Sequence, residues 1–223
     1  MTGTHTSQHQ HTTRPVRLGV MGGTFDPIHI GHLAIAEEAR VRLALDEVLF
    51  VPARVSPLKL GNTCASGEDR YRMVSLAIAD NAHFAVSRIE LDREGPSYTV
   101  DTLEALHTAC GRVELYFILG MDSLETLVHW RRPDAIVRLA RLVVVTRPGY
   151  VPDWPALERA IPGVTQASEV IDTVRLDISS TELRERVRAG MPIRYLVPAS
   201  VEAYIYDHQL YRDERTRASA PSC

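Results

Sequence analysis

The amino-acid sequence predicts a doubly wound, Rossmann-like α/β fold, in which a parallel sheet carries helices on both faces. Short runs rich in Val, Leu and Ile alternate with longer segments of helical periodicity, which is typical of βαβ units. The short runs are apolar on both faces, as strands covered by helices on each side must be. No fixed-length repeat or low-complexity linker interrupts the alternation. We therefore expect a ligand to bind at the carboxyl ends of the strands.

Five strands and six helices are predicted along the chain. The apolar runs place strands at 16–21, 47–51, 84–87, 114–119 and 142–146. Helical periodicity places helices at 32–44, 69–80, 99–109, 134–139, 180–189 and 198–208. In the last helix Val201, Tyr204, Ile205 and His208 share one face.

The chain is predicted to form one domain, residues 15–212, between two short tails. Residues 1–14 mix Thr, His and Gln and lack the apolar centre of a secretory signal, so we interpret them as a disordered tail. Residues 213–223 are similarly polar and are interpreted as a second, flexible tail.

The composition excludes several classes of function. The chain has 25 Lys and Arg against 28 Asp and Glu, a net charge of −3, which gives no broad field for attracting nucleic acid. Its longest apolar stretches are far shorter than the roughly 18 residues of a membrane span. Cys64, Cys110 and Cys223 form neither a CxxC pair nor an even set, so neither disulfides nor structural zinc is expected. We expect a cytoplasmic protein without nucleic-acid or membrane partners.

The first functional motif follows the first predicted strand and reads Gly22-Gly23-Thr24-Phe25-Asp26-Pro27-Ile28-His29-Ile30-Gly31-His32. Paired glycines let backbone N–H groups approach a ligand, and the helix N-terminus that follows favours an anion. His29 and His32 are three residues apart, so both imidazoles can donate to one phosphate. The alternative is a Gly-Gly turn and an Asp26-Pro27 turn, with partly buried histidines of no special function.

A second motif, Asp-Ile-Ser-Ser-Thr-Glu-Leu-Arg at 177–184, begins a later predicted helix. Ser179 and Glu182 form a capping box, which needs no function to explain it. The hydroxyls of Ser180 and Thr181, with Arg184 one turn further on, also offer donors and a fixed cation for phosphate oxygens. Both interpretations stay open at this point.

The two motifs resemble those of a known superfamily. The first is similar to the GGTFDPxHxGH signature of nucleotidyltransferases, whose HxGH motif is shared with class I aminoacyl-tRNA synthetases, and the second to the ISSTxxR element of their nicotinate mononucleotide adenylyltransferase branch. Further segments resemble the same branch, so that the similarity spans 17–212: 95–103, 117–124 with Trp130, 143–148, 195–198 and 204–211. The resemblance implies a bacterial nicotinate-nucleotide adenylyltransferase, which makes deamido-NAD and pyrophosphate from ATP and nicotinate mononucleotide in NAD biosynthesis.

The resemblance also implies roles for individual residues. His29 and His32 would be the catalytic pair. ATP binding would fall to Gly23, Thr24, Phe25, Lys59, Gly120, Asp122, Ser180, Thr181 and Arg184, and mononucleotide binding to Thr99, Trp130 and Arg147. Two positions depart from the pattern, because Leu58 stands where many members carry a histidine before the lysine, and His129 precedes Trp130 where proline is common. Lys59 would then contact phosphate alone.

Three of these residues also have a physical rationale, each with a plainer alternative. Trp130 offers a flat face on which a pyridine ring can stack, although a single Trp more often serves packing. Arg147 follows a predicted strand, where it can reach a ligand phosphate or simply lie on the surface. Asp122 lies in a Gly-x-Asp sequence, where it can accept hydrogen bonds from ribose hydroxyls or cap a short helix.

The implied reaction needs positioning more than acid–base chemistry. The phosphate of the mononucleotide is already ionised at neutral pH, so it can attack the α-phosphorus of ATP in line without a general base. We expect Mg²⁺ to be bound mainly through ATP phosphates and water, because the sequence holds no clustered carboxylates for a protein cage. No covalent enzyme intermediate and no protein metal ligand are predicted.

Other functions use similar first motifs and remain as alternatives. Pantetheine-phosphate adenylyltransferases and cytidylyltransferases would leave the Ser97-Tyr98-Thr99 segment, Trp130 and Arg147 unexplained. A nucleotide-sensing module that binds without turnover is the alternative from a different class, and pyrophosphate release separates it from an enzyme. The sequence leaves open the choice between nicotinate and nicotinamide mononucleotide, and it leaves open whether the chain forms a homo-oligomer.

Overall fold

A computed structural model describes residues 14–55, 63–146, 151–174 and 176–212 of the chain. Lys59 and Arg147, which the sequence predicts to contact phosphates, lie outside the described residues, and so does Leu58. Almost all of the predicted tails lies outside them as well.

Six strands form one sheet within the described residues. They are β1 (Val16–Gly23), β2 (Glu47–Pro52), β3 (Phe84–Val86), β4 (Val113–Gly120), β5 (Ala140–Thr146) and β6 (Ser168–Asp172). Their order across the sheet is β3-β2-β1-β4-β5-β6, and all neighbours run parallel. The predicted doubly wound α/β fold is therefore confirmed, and the five predicted strands are all present.

The edge strand β6 is the one strand that the sequence pattern missed. It pairs with β5 on one side, and its residues read Ser-Glu-Val-Ile-Asp. Ile171 is buried, whereas Val170 is 43% exposed. A strand at a sheet edge is only partly covered, so it carries none of the continuous apolar run that marks the central strands.

Nine α-helices connect or follow these strands within the described residues. They are α1 (Ile30–Arg42), α2 (Gly67–Ala77), α3 (Thr99–Cys110), α4 (Met121–Thr126), α5 (Pro133–Leu139), α6 (Trp154–Ala160), α7 (Val164–Ala167), α8 (Ser180–Arg188) and α9 (Ala199–Asp207). The six predicted helices are present, with ends within a few residues of the prediction. Three helices were missed. α4 and α7, with six and four residues, are too short to show a periodicity, and α6 buries a single residue, Leu157, so no apolar stripe marks it. None of the described helices is long and apolar enough to cross a membrane.

Two apolar layers cover the two faces of the sheet. On β4, Tyr116 and Ile118 pack in the layer that contains α1, α2, α8 and α9. Their neighbours Leu115 and Phe117 pack in the opposite layer, which contains α3 to α7. Because successive strand residues point to opposite faces, the central strands must be apolar at nearly every position. The two layers therefore account for the unbroken apolar runs in the sequence.

The order of the strands reverses between β1 and β4. From β1 the chain proceeds outwards to β2 and β3, and then returns to place β4 on the other side of β1. In a doubly wound sheet, the loops at the carboxyl ends of two such strands separate and leave a crevice. Here those ends are Gly23 and Gly120, so the fold predicts a ligand site between them.

Candidate active site

The β1–α1 loop carries the first functional motif, and its aromatic residue is folded inwards. Phe25 is buried, has a backbone φ of 51°, and meets His32 edge-on with ring centroids 5.1 Å apart. A Cβ atom at Gly23 would lie 2.9 to 3.2 Å from three atoms of the Phe25 ring. Position 23 must therefore be glycine if Phe25 is to pack against His32 in this way.

The two histidines form a stacked pair at the start of α1. Their ring centroids are 3.7 Å apart and their planes differ by 30°. The backbone N–H of His29 donates to Nδ1 of His32 at 3.2 Å. Because Nδ1 accepts this bond, a neutral His32 carries its proton on Nε2, which makes Nε2–H the ring group that can donate to a ligand.

The two histidines differ in their environments. His29 is 7% exposed, and burial lowers its pKa to about 4. His32 is half-buried and lines a cavity. At neutral pH, His29 is therefore an uncharged ring stacked on His32. His32 is the member of the pair that lines the cavity.

A larger cavity of about 540 Å³ lies over the carboxyl ends of β1, β4 and β5. Three of the residues predicted for catalysis or ATP binding line it: His32, Gly120 and Asp122. Asp122 is exposed at the start of α4 and has the carboxylate that the sequence predicts to accept ribose hydroxyls. The fold thus brings these three residues together across the switch point.

A smaller cavity of about 260 Å³ adjoins the first. The two predicted mononucleotide residues that the structure describes, Thr99 and Trp130, both line it. Gly23 and Thr24, predicted to contact ATP, line this smaller cavity rather than the larger one. The two cavities share Gly22, Phe117, Ser123 and Trp130, so a ligand in one lies beside a ligand in the other.

Trp130 lies where the two cavities meet. Its ring meets Phe117 edge-on, with centroids 6.1 Å apart and planes at 73°. The side chain is half-buried, and its Nε1 is buried without a partner in the described structure. The residue therefore packs against the sheet and also lines the cavities, which combines the two roles that the sequence left open.

The second motif contacts the β1–α1 loop directly. Ser179 caps α8 by accepting the backbone N–H of Glu182 at 3.1 Å, as the capping interpretation predicts. The next residue, Ser180, donates its hydroxyl to the Pro27 carbonyl at 2.8 Å, and Arg184 donates to the Asp26 carbonyl at 2.8 Å. These contacts hold the start of α8 against the β1–α1 loop, although Ser180, Thr181 and Arg184 are not among the residues that line the two cavities.

The carboxylate of Asp26 is the centre of a buried hydrogen-bond network. Asp26 is 3% exposed and accepts the backbone N–H groups of Cys64 at 2.8 Å and Ala65 at 3.1 Å. It also accepts the hydroxyl of Tyr211 at 2.8 Å. Burial, and after it the charge of Asp26, raise the pKa of Tyr211, so this hydroxyl remains a donor. One carboxylate thus joins three segments that are distant in sequence.

A buried arginine supports the same loop from α2. Arg70 is 1% exposed and donates from Nη1 to the Thr24 carbonyl at 2.7 Å and from Nη2 to the Arg54 carbonyl at 3.4 Å. Burial lowers the pKa of Arg70, and the nearby Asp26 acts in the opposite direction. The charge of Asp26 therefore offsets part of the cost of burying this cation.

Several residues of the site were not predicted from the sequence. Ser123 lines both cavities, and it follows Asp122 in the segment that resembles the adenylyltransferases. The contacts of Arg70 and Tyr211 with the β1–α1 loop join residues that are 46 and 185 positions apart. No local pattern signals such contacts, because periodicity and motif spacing report only on neighbours in the chain.

The described residues contain no group of three or more His, Cys, Asp or Glu side chains that could hold a metal ion. Asp122 is a carboxylate in the lining of the larger cavity. This donor set fits a Mg²⁺ that arrives with nucleotide phosphates and keeps its waters, rather than one held by a protein cage.

Histidines held on a strand-to-helix turn, beside a cavity at the switch point of a parallel sheet, are an arrangement suited to nucleotidyl transfer. A family described as cytidylyltransferase-like matches residues 20–186 of the chain. The class of protein is therefore a nucleotidyltransferase.

The most informative relatives are named more specifically. The probable nicotinate-nucleotide adenylyltransferase of Roseiflexus sp. (strain RS-1) is 55% identical over 195 residues, covering 87% of this chain and 98% of the relative. That of Dehalococcoides mccartyi (strain CBDB1) is 46% identical over 198 residues, covering 88% and 97%. The chain belongs to the nicotinate-nucleotide adenylyltransferase family.

A solved structure supports the fold. Plasmodium falciparum nicotinic acid mononucleotide adenylyltransferase, complexed with NaAD, superimposes with a TM-score of 0.70 at 20% sequence identity. The match covers 87% of this chain and 97% of that chain. The architecture is thus shared over almost the whole length of both proteins.

The Tyr211–Asp26 hydrogen bond should contribute measurably to stability. Tyr211→Phe removes one of the donors to a buried carboxylate, and we expect the free energy of unfolding in urea to fall by about 1.5–3 kcal/mol. Tyr206→Phe is the control, since no hydrogen bond to its hydroxyl occurs in the described part of the chain, and its effect should stay within about 0.5 kcal/mol. Equal losses in both variants would contradict this assignment.

The buried His29 should make stability depend on pH. Its pKa is lowered to about 4 in the folded protein, against 6.5 when unfolded, so the unfolded state binds the extra proton as the pH falls from 6.5 to 4. Between pH 7 and 4.5, wild type should lose about 2.5 kcal/mol more stability than His29→Asn. Urea unfolding at both pH values measures the difference, and parallel losses would show that His29 titrates normally.

Proposed function

We propose that the chain transfers AMP from ATP to nicotinate mononucleotide, giving nicotinate adenine dinucleotide (deamido-NAD) and pyrophosphate, a step of NAD biosynthesis. The observation that carries this proposal is the stacked His29–His32 pair, whose half-buried member, His32, lines the larger of two adjoining cavities. A nucleotidyl transfer needs two substrates held side by side with a donor at the phosphorus between them. The family of the chain and the names of its relatives support the choice of substrates.

We assign the larger cavity to ATP and the smaller to the mononucleotide. Gly120 and Asp122 in the larger cavity suit the nucleoside part of ATP, and Thr99 and Trp130 in the smaller cavity suit the pyridine mononucleotide. Because the cavities share Gly22 and Ser123, the two substrates would meet beside His32. This arrangement supports direct transfer without a covalent enzyme intermediate.

The chemistry follows from this placement. A phosphate oxygen of the mononucleotide attacks the α-phosphorus of ATP, the new P–O bond forms, and the bond from the α-phosphorus to the oxygen that bridges to the β-phosphorus breaks. The Nε2–H of His32 donates to the oxygens on which charge accumulates, and His29 holds that ring in place by stacking. The attacking phosphate is already ionised, so no general base is required.

The leaving pyrophosphate is assigned to Ser180, Thr181 and Arg184. Two of them already contact the loop that carries the histidines, and the buried Nε of Arg184 has no partner in the described structure. Thr181 is exposed and accepts from Arg184 at 3.3 Å. Lys59 and Arg147 are proposed to contact the ATP phosphates and the mononucleotide phosphate, as the sequence resemblance implies.

Mg²⁺ is proposed to be carried by the phosphates of ATP and by water rather than by side chains of the protein. Bound in this way, the ion neutralises phosphate charge and makes pyrophosphate a better leaving group. The residues of the chain then orient the nucleotide and stabilise the α-phosphate.

A cytoplasmic location and the absence of nucleic-acid partners are proposed from chemistry. Cys64 and Cys110 are free, exposed thiols, which a reducing compartment preserves. The net charge of −3 gives no general attraction for a phosphate backbone.

The proposal is tested by incubating the protein with ATP, Mg²⁺ and one acceptor at a time, and quantifying pyrophosphate and dinucleotide. Nicotinate mononucleotide should give both products, whereas phosphopantetheine and the reaction without acceptor should give neither. EDTA in excess over Mg²⁺ should abolish turnover. ATP binding without pyrophosphate from any acceptor would replace this proposal with a nucleotide sensor.

Removing the His32 donor should reduce turnover selectively. His32→Ala is expected to lower kcat by about 100- to 1,000-fold, as loss of one preorganised donor to a transition state does. The binding of ATP, measured by calorimetry, should change much less. His83→Ala is the control, because His83 lies at the amino end of β3, away from both cavities, and should leave kcat unchanged. If the kcat of His32→Ala stayed within threefold of wild type, His32 would not be a donor to the transition state.

A further inference from the structure

The proposed function leaves one choice unexplained, namely how the protein discriminates between nicotinate mononucleotide and nicotinamide mononucleotide. The two molecules differ only in the pyridine substituent, which is a carboxylate in one and a carboxamide in the other. A cation placed at that substituent would separate them, because a guanidinium binds a carboxylate through two parallel hydrogen bonds. The smaller cavity, to which the pyridine ring is assigned, contains such a cation.

Arg131 lines the smaller cavity and directly follows Trp130 in the chain. Its guanidinium carbon lies 4.7 Å from the centroid of the Tyr98 ring, another residue of the same lining. This cation–π contact with Tyr98 and the ion pair with Asp101 restrain the position of the guanidinium. Arg131 is therefore a preorganised cation beside the indole on which the pyridine ring is proposed to stack.

The guanidinium keeps hydrogen-bonding capacity for a ligand. Nη1 of Arg131 donates to Oδ2 of Asp101 at 3.2 Å, and the side chain is 52% exposed. Asp101 is its hydrogen-bond partner in the described part of the chain, which leaves donors on Nη2 and Nε. A carboxylate that approaches from the cavity can thus be bound without breaking the contact with Asp101.

The smaller cavity has charged side chains of opposite sign in its lining. Glu90 also lines it, is 7% exposed, and accepts the Thr102 hydroxyl at 2.7 Å. This buried carboxylate repels a second carboxylate, whereas the exposed guanidinium of Arg131 attracts one, with part of that attraction offset by its ion pair with Asp101. A ring that carries a carboxylate is therefore favoured with its substituent towards Arg131. The other titratable side chains of the lining are Tyr98 and His129, and His129 is exposed.

We propose that Arg131 is the specificity-determining residue that selects the acid over the amide, by donating two hydrogen bonds to the pyridine carboxylate. This inference rests on the proposed function and names the selective contact of the same site. The amide lacks the charge and presents an NH₂ group that cannot accept, so one of the two donors of Arg131 would face another donor. The substituent is remote from the phosphates, so Arg131 acts on binding of the mononucleotide and not on the chemical step.

The test compares kcat/KM for nicotinate and nicotinamide mononucleotide in wild type, Arg131→Gln and Arg131→Lys. Arg131→Gln should raise the KM for the acid about 10- to 100-fold, with kcat and the KM for ATP within threefold of wild type. Its kcat/KM for the amide should change less than threefold. Arg131→Lys keeps the charge but loses the planar pair of donors, so it should be intermediate.

Arg132→Gln is the matched control. Arg132 is the adjacent arginine, has the same side-chain exposure of 52%, and pairs with Glu104 at 2.9 Å instead of lining the smaller cavity. Its acid-to-amide ratio should stay within twofold of wild type. Thermal unfolding of each variant shows whether it is folded to the same extent.

The possible failures are distinct. Absence of turnover of either mononucleotide by the wild type would overturn the proposed function. Turnover of both with equal kcat/KM by the wild type would overturn the inference about Arg131 while leaving the adenylyltransferase intact. A preference for the acid that persists in Arg131→Gln would assign selection to other groups, and a proportional loss of both substrates would make Arg131 a structural residue.

Discussion

The site depends on one buried carboxylate. Asp26 lies between β1 and α1, and its oxygens accept two backbone N–H groups that precede α2 and the hydroxyl of Tyr211 beyond α9. Burying an anion is unfavourable unless hydrogen-bond donors surround it, and the donors to Asp26 come from segments that are remote in the chain. The carbonyls of Asp26 and Pro27 add the start of α8 through Arg184 and Ser180. The β1–α1 loop, which carries the histidines, is thus fixed by contacts with the segment before α2, with the segment after α9 and with the start of α8.

The two cavities on either side of the switch point differ in their linings. On the β4–β5 side, the larger cavity offers a polar rim around Asp122, suited to a nucleotide whose phosphates point towards His32. On the α3 side, the smaller cavity combines aromatic walls with charges of both signs, suited to a flat ring with one charged substituent. Trp130 borders both cavities, so its position shapes both of the proposed substrate sites. A fold that reverses strand order at one point thus supplies two adjacent sites from separate loops.

The sequence predicted what depends on local pattern and missed what depends on distant contact. The strands β1 to β5 were predictable because two apolar layers require unbroken apolar runs, and His29 and His32 because their spacing lies within a recognisable motif. The edge strand β6 was not, since Val170 and its neighbours are only partly covered. The contacts of Tyr211 and Arg70 could not be predicted either, because they join residues that are far apart in the chain. Placement of Gly23 and Thr24 at the smaller cavity likewise required the fold.

The bond between Tyr211 and Asp26 also links the site to the order in which the protein is assembled. Its two ends are 185 residues apart, so it closes only when α9 has docked on α2. During synthesis, the histidine loop emerges early but lacks this donor until nearly all of the domain has been made. A nascent chain would therefore hold its histidines on an incompletely supported loop, and competence for nucleotidyl transfer becomes a property of the finished domain.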